Sequence, residues 1–429
     1  MRPTLSTPDV IERRLSNGLT VLIEPLPFVR SASLGFLIRS GSSSETVDVA
    51  GATHFIEHLL FKGTKTRSTS DIARAIDALG GEVDAYTHKE YTAIHAHVLD
   101  EHADEALELL TDLMTQARWS DDDLEMERSV ILEEIRMVED TPDDLIHEIF
   151  LENFWPDHPL GRPILGPAET ISALSRETIE HHISRVLIPQ NVIFCASGNV
   201  DPERILGSLE KKFEQGAGEP PRAPVQPPLP RQHLVLRTKP ELEQVHLSLG
   251  SRGFPQSSEK RYGAALFSTI LGGGMSSRLF QRVREQEGLV YSISSYHTAN
   301  ASAGFESVYA ACNPDKVGRV VELVLEEMKR LRVHGVSAAE LEAAKRNVKG
   351  SILLSLESTV SRMSAISRQW HYFERIFTPD EVIDAINSVT VDDLVEIIEA
   401  TIDRETISLT LLGPLEEPGI AVEDLRAAL

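Results

Sequence analysis

The chain has 429 residues, of which 41% are hydrophobic and 25% are charged, as in soluble globular proteins long enough for two domains of ordinary size. The formal net charge of −24 argues against nucleic acid as a partner, and it favours basic peptides unless the acids only keep the surface solvated. No apolar run reaches the length of a membrane span, and residues 1–15 lack the hydrophobic segment of a signal peptide, so we predict a cytoplasmic protein. The two cysteines, Cys195 and Cys312, indicate no disulfide framework.

The first motif lies in a predicted helix, residues 50–61, which follows a predicted strand, residues 31–39. His54, Glu57 and His58 have the spacing i, i+3 and i+4, which forms one patch on a helix. Their neighbours are apolar, so we expect a buried patch, and buried polar groups need partners. Two histidines four residues apart can bind one divalent ion, with Glu57 as general base for a water molecule. This HxxEH order is typical of inverted zinc peptidases, and the alternative is a helix whose core histidines bond to carbonyl groups.

A later predicted helix, residues 121–140 with Ser120 as N-cap, carries acids on its apolar side. Its apolar stripe, with Val130 alongside, consists of Leu124, Ile131, Ile135 and Val138. At roughly 100° per residue, Glu127 and Glu134 lie about 20° apart inside this stripe, whereas Glu133 lies on the polar side. A buried carboxylate is costly unless paired, so we predict Glu134 as the third metal ligand and Glu127 as an acid that orients a ligand or moves a proton. If the helix is less buried than its pattern indicates, both acids are solvated instead.

A proline- and glycine-rich linker, residues 214–232, is predicted to separate two domains, residues 1–213 and 233–429. Both halves repeat one order of predicted elements. The matched segments are 31–39 with 244–251, 50–61 with 260–271, 82–117 with 291–333, and 121–140 with 338–356. Strands mixed with helices and hairpin-like alternation predict an α+β fold of two duplicated domains, each a mainly antiparallel sheet packed with helices.

The second half lacks the metal motif. When Gly63 is matched to Gly273, the three motif residues fall opposite Ala264, Phe267 and Ser268. None of these side chains can replace the ligands. We therefore expect the second domain to serve structure, substrate binding or assembly.

Two features of the second half are weaker signals. Residues 271–281 hold three consecutive glycines, which indicate either a flexible loop that lets a peptide pass or a simple helix C-cap. A phosphate-binding loop is disfavoured because the segment has no Walker lysine and follows no strand. Arg284 and Tyr291 flank a predicted helix stop at Gly288, and taken alone Arg284 could pair with Glu287 and Tyr291 could belong to the core.

The runs from Gly51 to Thr64 and from Glu127 to Ile135 resemble the zinc motif and the third-ligand helix of the pitrilysin-type metallopeptidases. That family includes mitochondrial processing peptidase and insulin-degrading enzyme, and the chain is most similar in type to bacterial homologues of the processing peptidase beta subunit. The resemblance implies one zinc ion per chain. It also implies that His54, His58 and Glu134 bind the zinc. Glu57 would be the general base, and Glu127 would be an assisting acid.

The same resemblance implies a substrate site on both halves. The segment 80–87 would be an edge strand that pairs with an extended peptide through Asp84, Ala85 and Tyr86. Asp84 stands where many relatives carry Asn, so only the main-chain contact carries over. Arg284 and Tyr291 would bind the peptide near the scissile bond, and the glycine-rich loop 271–281 would handle substrate.

In relatives of this length one chain supplies half of a clamshell, which implies a homodimer in which the zinc site of each copy meets Arg284 and Tyr291 of the other. A heterodimer with a zinc-less partner is the alternative. The implied function is a metalloendopeptidase that cleaves short or unfolded, basic peptides in a closed dimeric chamber. A non-catalytic peptide-binding or structural relative would show an eroded motif, and lyase or isomerase chemistry on a small molecule fits a single small domain better.

Overall fold

The computed structural model describes residues 10–213 and 226–429. Residues 214–225 of the predicted linker, and most of the N-terminal segment inspected for a signal peptide, therefore lie outside the described residues. Residues 226–232 contain no helix or strand. The described chain divides into two compact units, the first made of residues 10–136, 162–213 and 353–379, and the second of the rest.

The sheet of the first unit has six strands. Their bounds are β1 Ile11–Arg14, β2 Thr20–Pro25, β3 Ser31–Ile38, β4 Glu82–Thr87, β5 Thr92–Leu99 and β6 Val192–Gly198. The spatial order is β1-β2-β6-β3-β5-β4, and β2 with β6 is the one parallel pair in this sheet. Among the strands in residues 10–213 and 226–429, β4 pairs with β5 alone, so it lies at an edge of the sheet as described.

The sheet of the second unit has five strands. Their bounds are β7 Leu234–Thr238, β8 Val245–Gly253, β9 Val290–Ala299, β10 Gly304–Cys312 and β11 Ser408–Gly413. The order β7-β11-β8-β10-β9 repeats β2-β6-β3-β5-β4, with the parallel pair at the same place. The predicted α+β fold with two duplicated, mainly antiparallel sheets is confirmed.

Helices surround both sheets. Those before the linker are α1 Ala52–Leu59, α2 Thr69–Leu79, α3 Ala103–Gln116, α4 Asp121–Glu139, α5 Pro142–Phe154, α6 Ala168–Ala173, α7 Arg176–Val186 and α8 Pro202–Lys212. Those after it are α9 Arg261–Gly272, α10 Val317–His334, α11 Ala338–Ser355, α12 Thr359–Phe373, α13 Pro379–Ser388, α14 Val391–Thr401 and α15 Val422–Ala428. None of the helices in the two described stretches is long and apolar enough to cross a membrane.

Each unit takes one covering helix from the other half of the sequence. Helix α12 lies on β6 and β3 of the first unit, and α5 lies on β11 and β8 of the second. Because successive strand residues face opposite sides of a sheet, Leu22 packs with Met363 and Ile366 of α12, while Val21 and Ile23 join the core on the other face. The units therefore differ from the contiguous stretches 1–213 and 233–429 by an exchange of segments.

Both cysteines belong to strands and are buried and free. Cys195 lies in β6 and Cys312 in β10, each within an apolar cluster. Burial raises the pKa of both thiols, to about 11 for Cys312. Protonated buried thiols behave as small apolar side chains, as the sequence indicates.

A buried ion pair fixes α12 to the first sheet. The guanidinium of Arg362 donates from Nε and Nη2 to the two carboxylate oxygens of Glu24, at 2.8 and 2.6 Å, and the Ser197 hydroxyl donates to the same carboxylate at 2.7 Å. Replacing Arg362 by Met leaves a buried, unpaired carboxylate, so we expect the free energy of unfolding of this unit to fall by about 3–5 kcal/mol.

Urea unfolding followed by circular dichroism measures that loss. Arg30→Met is the matched control, because Arg30 pairs with Asp100 while its side chain is 73% exposed, and ion pairs at the surface contribute little to stability. Equal unfolding midpoints for the two variants would contradict this account of α12.

Candidate metal centre

Helix α1 separates its apolar side chains from the polar side chains of the HxxEH motif. Phe55, Ile56 and Leu59 pack in one apolar cluster with residues of α4, α6 and α7. His54, Glu57 and His58 occupy the remaining side. Packing of the apolar residues thus sets the rotation of the helix about its axis and aims the motif.

The donor atoms of His54, His58 and Glu134 converge on one point. The Nε2 atoms of the two histidines lie 3.7 and 3.6 Å from Glu134 Oε2. All three donor atoms lie within 4.8 Å of one another, and no second group of this kind occurs within residues 10–213 and 226–429. Tetrahedral zinc with bonds of about 2.0–2.1 Å places its ligand atoms roughly 3.4 Å apart, so the donor set fits zinc.

The protonation of His54 suits a metal ligand. The residue is 7% exposed, and burial lowers the pKa of its imidazole to about 3, with the nearby His58 adding to the effect. A neutral imidazole is the form that binds a metal. The ring of His54 lies 4.6 Å from that of His58 between centroids, so both can face one ion.

His58 is oriented by a carboxylate. Its Nδ1 lies 3.0 Å from Oε2 of Glu127, which is 2% exposed, and Nζ of Lys62 lies 2.5 Å from Oε1 of Glu127. Because Glu127 accepts a hydrogen bond from the Nδ1–H group of His58, Nε2 of His58 carries the lone pair. That nitrogen lies on the side of Glu134, where the three donor atoms converge. Glu127 therefore contacts His58, and its role as an acid that orients a ligand stays a prediction.

Glu57 lies beside the three converging donor residues, at the end of edge strand β4. Burial raises the pKa of its carboxyl above the ordinary value, and a hydrogen bond donated by the Thr87 hydroxyl opposes that rise. A raised pKa brings a carboxylate closer to neutral pH, where a general base works best. Thr87 ends β4, so the sheet edge and the proposed base are in direct contact.

Sequence reasoning missed both Lys62 and Thr87. Lys62 stands four residues after His58 in an apolar run, a spacing that could have identified it as a partner of a nearby acid. The sequence contains no signal for Thr87, because its hydrogen bond to Glu57 depends on how β4 packs against α1.

Helix α4 separates its two neighbouring acids as predicted. Glu133 is exposed and pairs with Arg136 along the helix, whereas the Glu134 side chain is 31% exposed and faces the histidines. Ser120 and Asp123 form the expected N-terminal cap. The prediction that Val130 lies alongside the apolar stripe of α4 is wrong, because Val130 is 44% exposed. The fully buried apolar residues of this helix are Leu124 and Ile131.

Edge strand β4 carries the residues predicted to contact a peptide. Asp84 and Tyr86 point to one face and Ala85 to the other, and Asp84 Oδ1 accepts a hydrogen bond from the Ala85 amide at 2.9 Å. Across the ladder, Asp84 is paired with His95 and Glu82 with His97. These pairings depend on the register of β4 against β5, which the sequence pattern does not show.

Arg284 and Tyr291 belong to the second unit and contact each other. The guanidinium carbon of Arg284 lies 5.4 Å from the Tyr291 ring centre and 4.5 Å from that of Phe280. Tyr291 is 84% exposed and so is not a core residue. Glu287 pairs with Arg319, at 2.9 Å, while Arg284 lies beside Glu285.

The counterpart of α1 in the second unit is α9, which ends at the glycine cluster. Ala264, Phe267 and Ser268 are buried there, and the Gly273 amide caps the helix by donating to the Thr269 carbonyl. A Cβ added at Gly274 would have no atom of the described residues within 4 Å, apart from its chain neighbours. The helix C-cap is thus present in the glycine-rich segment.

Family models match most of the chain. Residues 20–168 match a model described as insulinase, peptidase family M16, and residues 173–348 match one described as the peptidase M16 inactive domain. The second match begins near the end of the first half and includes residues 233–348 of the half that lacks the metal motif. The first includes the three donor residues, Glu57 and Glu127.

Similar proteins are named zinc proteases. An uncharacterized zinc protease of Streptomyces coelicolor is 38% identical over 94% of this chain and 89% of its own length. One of Bacillus subtilis is 36% identical over 93% of this chain and 97% of its own. A solved structure of a protease from Helicobacter pylori superposes with a TM-score of 0.88 at 21% identity, covering 95% of this chain and all of that one, which shows a shared fold.

Proposed function

We propose that this chain, which belongs to the insulinase family of peptidases (peptidase family M16), is a zinc metalloendopeptidase with its active site on α1 and α4. The convergence of His54, His58 and Glu134 on one point carries the proposal. Their donor types and spacing suit zinc, and an acid suited to proton transfer stands beside them.

The roles of the chain's own residues follow from their contacts. Zinc, when bound, supplies a Lewis acid that polarises the scissile carbonyl and lowers the pKa of water. Glu57 accepts a proton from the attacking water and returns it to the leaving amine nitrogen, with the Thr87 hydroxyl holding one carboxylate oxygen in place. Glu127 and Lys62 keep His58 in the tautomer that presents Nε2.

The proposed substrate is a short or unfolded peptide bound as an added strand on β4. The free edge of β4 offers main-chain groups for such pairing, and its last residue contacts Glu57. A net charge of −24 favours basic peptides. The peptide backbone would run along the edge toward the metal centre.

Incubation of the protein with a basic, unstructured peptide tests the proposal. We expect internal cleavage, detected by mass spectrometry, which is lost after chelation and restored by adding zinc alone. Cleavage that continues undiminished in the metal-free protein would refute the proposal.

We further propose a homodimer whose sites are shared between copies. Arg284 and the exposed Tyr291 hydroxyl of one copy would hold the peptide carbonyl at the metal centre of the other. A heterodimer with a zinc-less chain of the same fold would use the same residues. In either case a second chain completes the active site.

Co-expression of two inactive variants tests sharing. Glu57→Gln and Arg284→Ala are each expected to be inactive alone, whereas their mixture should recover about a quarter of the activity, since half the dimers are mixed and each has one intact site. Separate affinity tags isolate the mixed dimer. No recovery in the purified mixed dimer would place both residues in one chain's site.

A non-catalytic role is the second candidate. Its support is that residues 173–348 match the family model described as the peptidase M16 inactive domain. The intact metal motif and its geometry favour the peptidase.

A further inference from the structure

The first turn of α1 cannot be capped by its own N-cap residue. That residue is Gly51, whose φ of +92° lies in the left-handed region, and an added Cβ would lie 2.4 Å from the Leu165 carbonyl oxygen. A serine, threonine or aspartate is therefore excluded from this position. The amides of the first turn, which have no partner within the helix, need an acceptor from elsewhere.

Glu45 supplies that acceptor from six residues upstream. Its two carboxylate oxygens accept the amides of Gly51 and Thr53, at 2.8 and 2.6 Å, and the residue is 4% exposed. The Arg162 guanidinium donates to the Glu45 main-chain carbonyl, which anchors the loop that carries the acid. A carboxylate at this end also interacts favourably with the helix dipole.

The two histidines of the motif are held in different ways. His58 is oriented by its hydrogen bond to Glu127, whereas His54 Nδ1 is buried and bonds to no protein group in the described parts of the chain. The ring of His54 therefore depends on its backbone for orientation. That backbone follows Thr53, whose amide is bonded to Glu45 and whose hydroxyl lies 3.1 Å from His182 Nε2.

We infer that Glu45 is a positioning residue of the metal centre, which fixes the first turn of α1 and so aims His54 at the metal. It acts on His54 through Thr53 and does not touch substrate or metal. The inference rests on the proposed function, because it takes His54 as a zinc ligand.

Zinc affinity of the metal-free protein, measured by competition with a chromogenic chelator, tests the inference. Glu45→Gln keeps the shape of the side chain but turns an amide NH2 toward one of the two backbone donors. We expect zinc binding to weaken about 10–100-fold, and the visible spectrum of the cobalt-substituted protein to change, because one ligand is misaligned.

Glu24→Gln is the matched control, since Glu24 is also a buried acid of the same unit, 3% exposed, but it bonds to Arg362 and Ser197. It should lower the melting temperature while zinc affinity stays within about threefold of wild type. Equal loss of zinc affinity in both variants, or none in Glu45→Gln, would overturn the inference.

Two further outcomes are informative. If Glu45→Gln does not fold, Glu45→Asp, which keeps the charge but is one methylene too short to reach both amides, replaces it with the same expected loss of zinc affinity. A wild-type protein that binds no zinc would refute the proposed function itself, and is thereby distinct from a failure confined to Glu45.

Discussion

Replacing Glu57 by Gln is expected to lower kcat for peptide cleavage by about 10²–10⁴-fold, the contribution of a positioned general base. The amide has nearly the same shape, and the Thr87 hydroxyl can still donate to its oxygen, so the site should keep its geometry. What is lost is the ability to accept a proton. Initial rates on a fluorogenic basic peptide, with saturating zinc, measure the change.

Zinc content and melting temperature are the controls for this variant. Both should equal those of the wild-type protein, because Glu57 is not among the three converging donors. An active Glu57→Gln enzyme would leave the chemistry without its base and would contradict the proposed mechanism. Loss of zinc would instead mean that Glu57 takes part in binding the metal.

Removal of the third ligand should have the largest effect on metal binding. Glu134→Gln is expected to weaken zinc affinity by more than about 100-fold, because only two histidines remain as protein ligands. The neighbouring variant Glu133→Gln is an unusually close control, since Glu133 is one residue away on the same helix but pairs with Arg136 at the surface.

Metal content after dialysis against a weak chelator separates the two variants. Glu133→Gln should retain one zinc per chain and full activity, and Glu134→Gln should retain neither. The reverse result would reassign the ligand and would show that α4 is rotated by about 100°, one residue, about its axis.

The clustering of His54, His58 and Glu134 was predictable because its signals are local. Spacing on α1 groups two histidines and an acid, and helical periodicity distinguishes Glu134 from Glu133 on α4. Repeated order along the chain predicted two similar sheets, since apolar alternation marks each strand independently of its neighbours. The buried position of Glu127 followed from the same periodicity.

Long-range features were not predictable. The partners of His95 and His97 depend on the register of β4 against β5, and the contact between Thr87 and Glu57 depends on the approach of a sheet edge to a helix. Glu45 precedes α1 by a loop, so its role as a distant cap leaves no periodic signal. Helix-end geometry of this kind becomes visible only when backbone amides can be located.

The predicted division at the linker is a separate case. Sequence alone marks where the proline-rich segment lies, but it does not show that α5 and α12 each join the unit of the opposite half. Their apolar residues look like those of any amphipathic helix. Complementary packing decides which sheet each of these helices covers, and a local sequence pattern does not show it.

The exchange of α5 and α12 sets an order of events during synthesis. A chain emerging from the ribosome at about 5–20 residues per second can form the first sheet early, but Met363 and Ile366, which cover one face of it, are made more than a hundred residues later. Until then Leu22, Leu37 and Ile193 remain exposed to water on that face. The unit that contains His54, His58 and Glu134 is therefore complete only after residues 353–379 have been translated.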